Sequence, residues 1–143
     1  MWPISHPSPE VKQLVSRFFA LVDTNSEEVG QALADEIFTP DGVLITANAM
    51  FQGSAEISQS RKGAWTTVKT RQHTILKGYV NDAHGMDIVL VGNLKIETLA
   101  GTKTNLEFVA RMKIIEGQLG PRICKYQVVS PAPQVSRPIL EAA

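Results

Sequence analysis

The stretch KTNLEFVARMKII, residues 103–115, alternates between apolar and polar side chains over most of its length. The apolar set on one side consists of Leu106, Phe108, Ala110 and Met112. A period of two places successive side chains on opposite faces of a β-strand. Residues 103–115 are therefore predicted to form a strand that is buried on one face only.

Three other stretches in the second half of the chain repeat this pattern. They are residues 72–80, 86–98 and 122–129. Turn signals rich in glycine separate the stretches, at residues 81–85, at Ala100-Gly101 and at residues 116–121. Four strands joined by short turns predict an antiparallel meander.

The first half of the chain has helical periodicity instead. Ser8-Pro9-Glu10 is a helix start, and the apolar spacing that follows predicts an amphipathic helix over residues 9–22. A second helix is expected to end at Ile37, and a third is expected to begin at Ser54 and to keep Val68 on its apolar side. A short strand is predicted at 43–46. Helices first and strands later are typical of the α+β class.

Composition restricts the classes of function. The chain has 143 residues, with 14 basic and 14 acidic side chains, so a broad nucleic-acid surface is not expected. The lone cysteine, Cys124, is interpreted as a small buried residue, and three scattered histidines make no metal site. The sequence has no phosphate loop, dinucleotide fingerprint or nucleophile elbow, so no cofactor is expected.

The organisation of the chain is predicted to be simple. Residues 1–143 are expected to form one domain, with an irregular arm at 1–8 and a tail at 130–143 that could fold over a pocket. Neither a signal peptide nor a membrane span is predicted. A cytoplasmic protein without membrane or nucleic-acid partners follows as the expectation.

A curved sheet with three helices on its concave face would leave a cavity along the helix–sheet interface. On the second strand of the meander, alternation directs one apolar set toward that cavity. This set consists of Ile88, Leu90, Gly92, Leu94 and Ile96. Val89, Val91 and Val109 are expected on the outer face of the sheet, whereas Arg61 and Lys62 are expected to be solvated.

The order of these segments resembles the NTF2-like superfamily, in particular its SnoaL-like and scytalone-dehydratase-like branches. The resemblance covers roughly residues 9–133. The segments that carry it are FTPDG at 38–42, FQGSAEI at 51–57, Trp65, RQHTI at 71–75, Gly101, the strand from Leu106 to Ile114 and the turn Glu116-Gly117. It implies a cone-shaped α+β fold, in which a curved antiparallel sheet and three N-terminal helices enclose a pocket.

The resemblance also implies a pair of catalytic residues. His73, in a Gln-His segment, matches the acid/base histidine of scytalone dehydratases, and Asp23 falls where those enzymes place an aspartate that orients it. A carboxylate on one ring nitrogen selects the tautomer, so the other nitrogen can move a proton. The alternative is a structural histidine beside an aspartate that caps a helix.

Other positions depart from the scytalone-dehydratase pattern. Phe108 replaces a pocket asparagine, Thr98 lies nearest to a missing second histidine, and Val22 and Ile45 stand in place of a tyrosine pair. These departures argue against dehydration of scytalone itself and leave a mostly apolar pocket. Tyr79 and Tyr126 are candidate donors to a developing oxyanion. The candidate substrate-binding residues are Phe19, Phe51, Trp65, Leu94, Leu106, Phe108, Met112 and Tyr126.

The leading hypothesis is a cofactor-independent isomerase, cyclase or dehydratase that acts on an apolar polyketide- or terpenoid-like intermediate. One alternative is a non-catalytic small-molecule-binding or dimerisation domain of the same fold. A transport adaptor with an exposed apolar groove is a further alternative. The resemblance also implies a homodimer through the outer face of the sheet.

Overall fold

The computed structural model describes residues 7–130. Most of the predicted arm and tail, with His6, therefore lies outside the described residues. The helices are α1 (Pro9–Val22), α2 (Val29–Ala32) and α3 (Gly53–Ser58), and a π-helical turn, Leu33–Ile37, continues α2. The strands are β1 (Phe38–Ile45), β2 (Met50–Gln52), β3 (Val68–Val80), β4 (Asp87–Thr98), β5 (Lys103–Gly117) and β6 (Gly120–Ser130).

Helix α1 begins as the sequence predicts. Ser8 is the N-cap and its hydroxyl accepts a hydrogen bond from the backbone N–H of Val11 at 3.3 Å, while Pro9 occupies the first helical position. The apolar residues of α1 are all buried and form one face that packs on the core. They are Val11, Leu14, Val15, Phe18, Phe19 and Val22.

The six strands form one curved sheet in the order β2-β1-β6-β5-β4-β3. The predicted meander is confirmed, because β3 to β6 pair antiparallel in sequence order. One pair differs from the antiparallel expectation, since β1 and β6 run parallel. The three hairpins after β3 return the chain beside β1 in the same direction as β1, a relation between distant segments that strand periodicity does not report. The α+β class with N-terminal helices is confirmed.

The third helix is much shorter than predicted. It ends at Ser58, and residues 59–66 form turns and a bend rather than helix. Gly63 has a φ of 77°, a left-handed conformation that ends helical geometry. The β-branched residues Thr66, Thr67 and Val68 then favour the extended chain that becomes β3. The N-cap is Gln52 instead of Ser54, and the Glu56 carboxylate accepts the Gln52 N–H at 2.9 Å.

Residues 38–42, which precede the predicted strand at 43–46, already belong to β1, whose pairing with β6 shifts register between Phe38 and Val43. The second helix reaches Ile37 as expected, but through the π-helical turn. Gly30 has a packing role there, because a Cβ at this position would lie 2.1 Å from the carbonyl oxygen of Ser58. The glycine lets α2 and α3 approach each other closely.

The face assignment from alternation is confirmed. Ile88, Leu90, Ala110 and Met112 are fully buried against the helices. Cys124 is only half-buried, and its thiol lies 3.5 Å from the carbonyl oxygen of Lys113 on the neighbouring strand. Within residues 7–130, the helices are all too short or too polar to cross a bilayer.

Candidate functional site

A cavity of about 360 Å³ opens where the end of α1 faces the sheet. The side chains that line it come from α1, the segment before β2, the turns after α3, and strands β1 and β3 to β6. Five of the predicted substrate-binding residues line it, namely Phe19, Leu94, Leu106, Phe108 and Tyr126. The cavity is thus largely apolar and lies along the interface between helices and sheet.

His73 and Asp23 meet at this cavity. Asp23 follows the last residue of α1, and His73 lies on β3, fifty residues later in the chain. The Nδ1 atom of His73 is 2.6 Å from Oδ1 of Asp23, and the backbone N–H of His73 donates to Oδ2 at 2.8 Å. Both carboxylate oxygens are therefore engaged by one residue. The side chain of His73 is 13% exposed and that of Asp23 is 18% exposed.

This geometry orients the imidazole. Since a carboxylate oxygen accepts, Nδ1 carries the proton in the neutral ring, and the tautomer follows from this contact. The Nε2 atom, on the other side of the ring, is then the basic nitrogen. His73 lines the cavity, and Nε2 is its ring nitrogen that Asp23 does not engage.

Two aromatic rings pack against the imidazole of His73. The ring centroid of Phe19 lies 5.1 Å from that of His73, and the centroid of Phe108 lies 5.3 Å away in an edge-to-face arrangement. Phe108 reaches this position across Gly92, because a Cβ at Gly92 would lie 2.6 Å from the Phe108 ring and 2.5 Å from the carbonyl oxygen of Thr74. Gly92 therefore creates the space in which this ring packs.

Two arginines also line the cavity, which corrects the expectation that Arg61 is solvated. Arg61 donates to the carbonyl oxygen of Val22 at 2.9 Å, and Arg71 donates to that of Ala64 at 3.1 Å. Burial, together with the charge of Arg71, lowers the pKa of Arg61 to about 10, and Asp23 partly offsets this shift. Burial likewise lowers the pKa of Arg71, again opposed by Asp23.

The alternation of side chains along β3 indicated that Arg71 points inward. It precedes His73 by two residues on β3, so the period that turns His73 inward turns Arg71 inward as well. Arg61 was expected to be solvated, although the expected third helix placed it on the same side as Trp65 and Val68. Its inward position follows from the turns after α3.

Tyr126 is the tyrosine that lines the cavity. It is 4% exposed, and burial raises the pKa of its hydroxyl, with a further contribution from the charge of Asp23. The hydroxyl therefore stays protonated and can donate a hydrogen bond. Tyr79, the other candidate donor, is 50% exposed on the outer face of the sheet, away from this cavity.

Three predicted substrate-binding residues do not line this cavity. Met112 is fully buried in the core, and Phe51 on β2 is partly buried and packs against the same core. Trp65 lies in the turns after α3, where it borders a separate polar depression and Arg71 stacks over its ring at 4.8 Å. Trp65 was expected on a helix that ends seven residues earlier, which explains the difference.

The titratable groups do not suggest a metal centre. Across residues 7–130, no three His, Cys, Asp or Glu side chains are grouped so that they could hold a metal ion. The titratable side chains that line the cavity are instead those of His73, Tyr126, two arginines and the exposed Glu107, and Asp23 contacts His73. This set can bind and move protons on an organic molecule.

No protein-family model matches the chain, and no curated protein matches it. Its fold is similar to that of an NTF2-like superfamily protein from Salmonella enterica, with 14% identity, a TM-score of 0.67, and coverage of 86% of this chain and 89% of the other. A candidate aromatic ring hydroxylase from Novosphingobium aromaticivorans gives 15% identity, a TM-score of 0.72 and coverage of 85% and 88%. A candidate scytalone dehydratase from the same organism gives 11% identity, a TM-score of 0.68, and coverage of 83% of this chain and 80% of the other.

These likenesses agree with the resemblance that the sequence suggested. The chain has the NTF2-like fold. At such low identities the likeness establishes the fold alone, since one fold hosts many functions.

Proposed function

We propose that the chain is a cofactor-independent enzyme in which His73 transfers a proton on a small, largely apolar organic molecule. The reaction would be an isomerisation, a ring closure or a dehydration. The observation that carries this proposal is the 2.6 Å contact between His73 Nδ1 and Asp23 Oδ1 beside an open cavity. A buried structural histidine would have no such space beside its second nitrogen.

Each group has a distinct part in the proposed reaction. The Nε2 atom of His73 accepts a proton from a carbon or oxygen of the substrate and returns it elsewhere on the molecule. Asp23 stabilises the imidazolium that forms in between and holds the ring in place through its second oxygen. Tyr126 donates a hydrogen bond to the oxygen on which negative charge develops.

The apolar walls complete this proposal. Phe19, Leu106 and Phe108 shape the bound molecule and displace water, which strengthens the electrostatic contacts inside the cavity. A polyketide- or terpenoid-like intermediate suits such walls, and the sequence resemblance favours this class. Among the structures with this fold, the candidate scytalone dehydratase and the candidate ring hydroxylase support an enzymatic role.

The test is a comparison of product profiles on extracts from the host organism. His73→Ala should lower the conversion of the responsive metabolite by about 10²–10⁴-fold, the usual contribution of a positioned acid/base group. Asp23→Asn should give a smaller loss, because the amide can still accept one hydrogen bond but no longer stabilises a positive ring. His84→Ala, in an exposed turn, is the matched control and should behave like wild type.

Two outcomes would overturn the proposal. Equal profiles for wild type and a correctly folded His73→Ala variant would exclude proton transfer by this residue. Extraction of a metabolite that binds to the cavity and is never converted would identify a non-catalytic binding protein of the same fold. Circular dichroism spectra of the variants establish that they are folded.

We also propose that two copies of a cytoplasmic protein associate through the outer face of the sheet. Val89, Val91 and Val109 lie half-buried on that face, and the exposed Tyr79 lies beside Val89 on the neighbouring strand. Light scattering should give the mass of a dimer for wild type and a lower mass for Val91→Lys. A monomeric wild type at working concentration contradicts this proposal.

A further inference from the structure

The charges in the cavity do not balance. Arg61 and Arg71 each contribute one positive charge, and Asp23 contributes one negative charge that His73 already engages. Glu107 is the only acid among the described residues that line the cavity, but its side chain is exposed and belongs to the outward-facing set of β5. With a neutral His73, the cavity therefore holds a net charge of about +1, since a guanidinium is always protonated near neutral pH.

The two arginines also keep unused hydrogen-bond donors. A guanidinium has five N–H groups, and each of these two makes a single hydrogen bond to a backbone carbonyl. The Nε atom of Arg61 and the Nη1 atom of Arg71 are shielded from solvent and have no partner among the described residues. None of the four ion pairs within residues 7–130 includes either arginine.

Buried donors and charges without partners destabilise a fold, and charged groups do so more than neutral ones. Arg61 and Arg71 both line one cavity, so a ligand bound there would neutralise their charges and accept hydrogen bonds from donors that no described protein group uses. Arg71 and His73 are two residues apart on the same face of β3, so a group held by Arg71 lies next to the imidazole.

We propose that the cavity binds a molecule with an apolar body and one carboxylate group, and that Arg61 and Arg71 hold this carboxylate beside His73. The proposal rests on the same cavity as the proposed function and specifies the class of substrate. One carboxylate neutralises the surplus charge, and its planar pair of oxygens matches the planar donors of a guanidinium. A phosphate dianion would over-neutralise the site and would be harder to bury among the phenylalanine rings.

The geometry also suggests why such a group would help the reaction. A proton on the carbon next to a carboxylate becomes more acidic when positive charges stabilise the enolate-like state that forms after its removal. His73 would remove this proton through Nε2, and the arginines would hold the oxygens that gain charge. The proton returns from the imidazolium, so no other reactant is required.

The experiment compares two probes of nearly equal shape, naphthalene carboxylate and its neutral carboxamide. Binding to the full chain is measured by calorimetry. Wild type should bind the carboxylate at least about tenfold more tightly than the amide, the gain expected from charge-assisted hydrogen bonds. Arg61→Gln and Arg71→Gln should each reduce this preference by about tenfold, and Arg61→Lys and Arg71→Lys should retain part of it.

Arg17→Gln is the matched control, because Arg17 is exposed on α1 and pairs with Glu36 away from the cavity. It should keep the full preference for the carboxylate. A carboxylate preference in wild type, together with equal product profiles for wild type and a correctly folded His73→Ala variant, would contradict the proposed reaction and leave the carboxylate site intact.

Equal binding of the two probes to wild type would overturn the inference, whatever the variants do. A preference that persists unchanged in both correctly folded Arg→Gln variants would overturn it as well, because the carboxylate would then bind elsewhere. If either glutamine variant fails to fold, the lysine variants and the wild-type comparison still decide the question.

Discussion

The two ends of β4 have the same alternation of side chains, but their inward-facing residues differ in burial. At its start, Ile88 and Leu90 point inward and are fully buried, so we call this end the filled half. At its other end, Leu94 and Ile96 also point inward, but they are only half-buried and line the cavity, so we call this end the open half. Identical periodicity thus produces packed core in one place and a binding cavity in the other.

Gly92 lies between the two halves. The Phe108 ring packs across this glycine and against His73, so it forms the floor of the open half. Helix α3 ends at Ser58, and the turns that follow bring Arg61 to the cavity. A strand pattern therefore identifies the inward face of a strand. The elements that lie opposite this face determine whether the space next to it is filled.

The largest expected effect compares two leucines on the same face of one strand. Leu90→Ala should destabilise the fold by about 2–5 kcal/mol, because it leaves an enclosed void in the filled half. Leu94→Ala should cost about 1 kcal/mol or less, because it only enlarges a space that is already open. Urea unfolding of the two variants measures the difference. Equal losses would mean that the open half is closed in solution.

A smaller effect is expected at the boundary between the halves. Gly92→Ala should cost about 1–3 kcal/mol, because the new methyl group meets both the Phe108 ring and the Thr74 carbonyl oxygen at less than van der Waals distance. Adding Phe108→Val should recover part of this loss, and Asn93→Ala serves as the neighbouring control. A fully stable Gly92→Ala would show that both the Phe108 ring and the Thr74 carbonyl group have room to move.

The smallest effect at neutral pH is expected for Tyr126→Phe, within about 1 kcal/mol. Burial raises the pKa of Tyr126, so the folded chain keeps a proton that the unfolded chain releases near pH ~10. Wild type should therefore lose stability relative to Tyr126→Phe as the pH rises above about 10. The pKa of Arg61 is lowered to about 10, so this residue makes stability rise with pH above that value. The contribution is the same in both proteins and cancels in the comparison.

The chain contains one matched control for this measurement. Tyr79 is the only other tyrosine and is half-exposed on the outer face. Urea unfolding of Tyr79→Phe should show the same alkaline loss as wild type. If Tyr126→Phe loses as much stability as wild type above pH ~10, the hydroxyl of Tyr126 is not held in a protected environment.

Much of the candidate site could be expected from the sequence, although through two kinds of reasoning. The inward direction of Leu94, Leu106 and Phe108 followed from alternation. The pairing of His73 with Asp23 came from the resemblance, because fifty residues separate them and no local pattern relates the two. Their catalytic roles remain a prediction.

The differences from the predicted positions have two physical origins. Trp65 and Arg61 were placed on a third helix whose apolar spacing looked continuous, but Gly63 and the β-branched run after it favour turns and strand. Met112 has the same inward parity as Phe108, yet it faces the filled half and packs in the core. The alternation of a strand predicts the face of the sheet to which a side chain points. It does not predict which elements pack against that face.

The sequence alone determined the local features of this protein: the start and apolar face of α1, the four strands of the meander, and the face of each strand that turns inward. These features depend on side chains a few residues apart, so their periodicity is visible in the chain. Only the tertiary structure decided that β1 runs parallel to β6, where the interior stays open, and that Arg61 joins Arg71 at the opening. Those outcomes depend on distances between segments far apart in sequence, which are set when the helices and the sheet pack together.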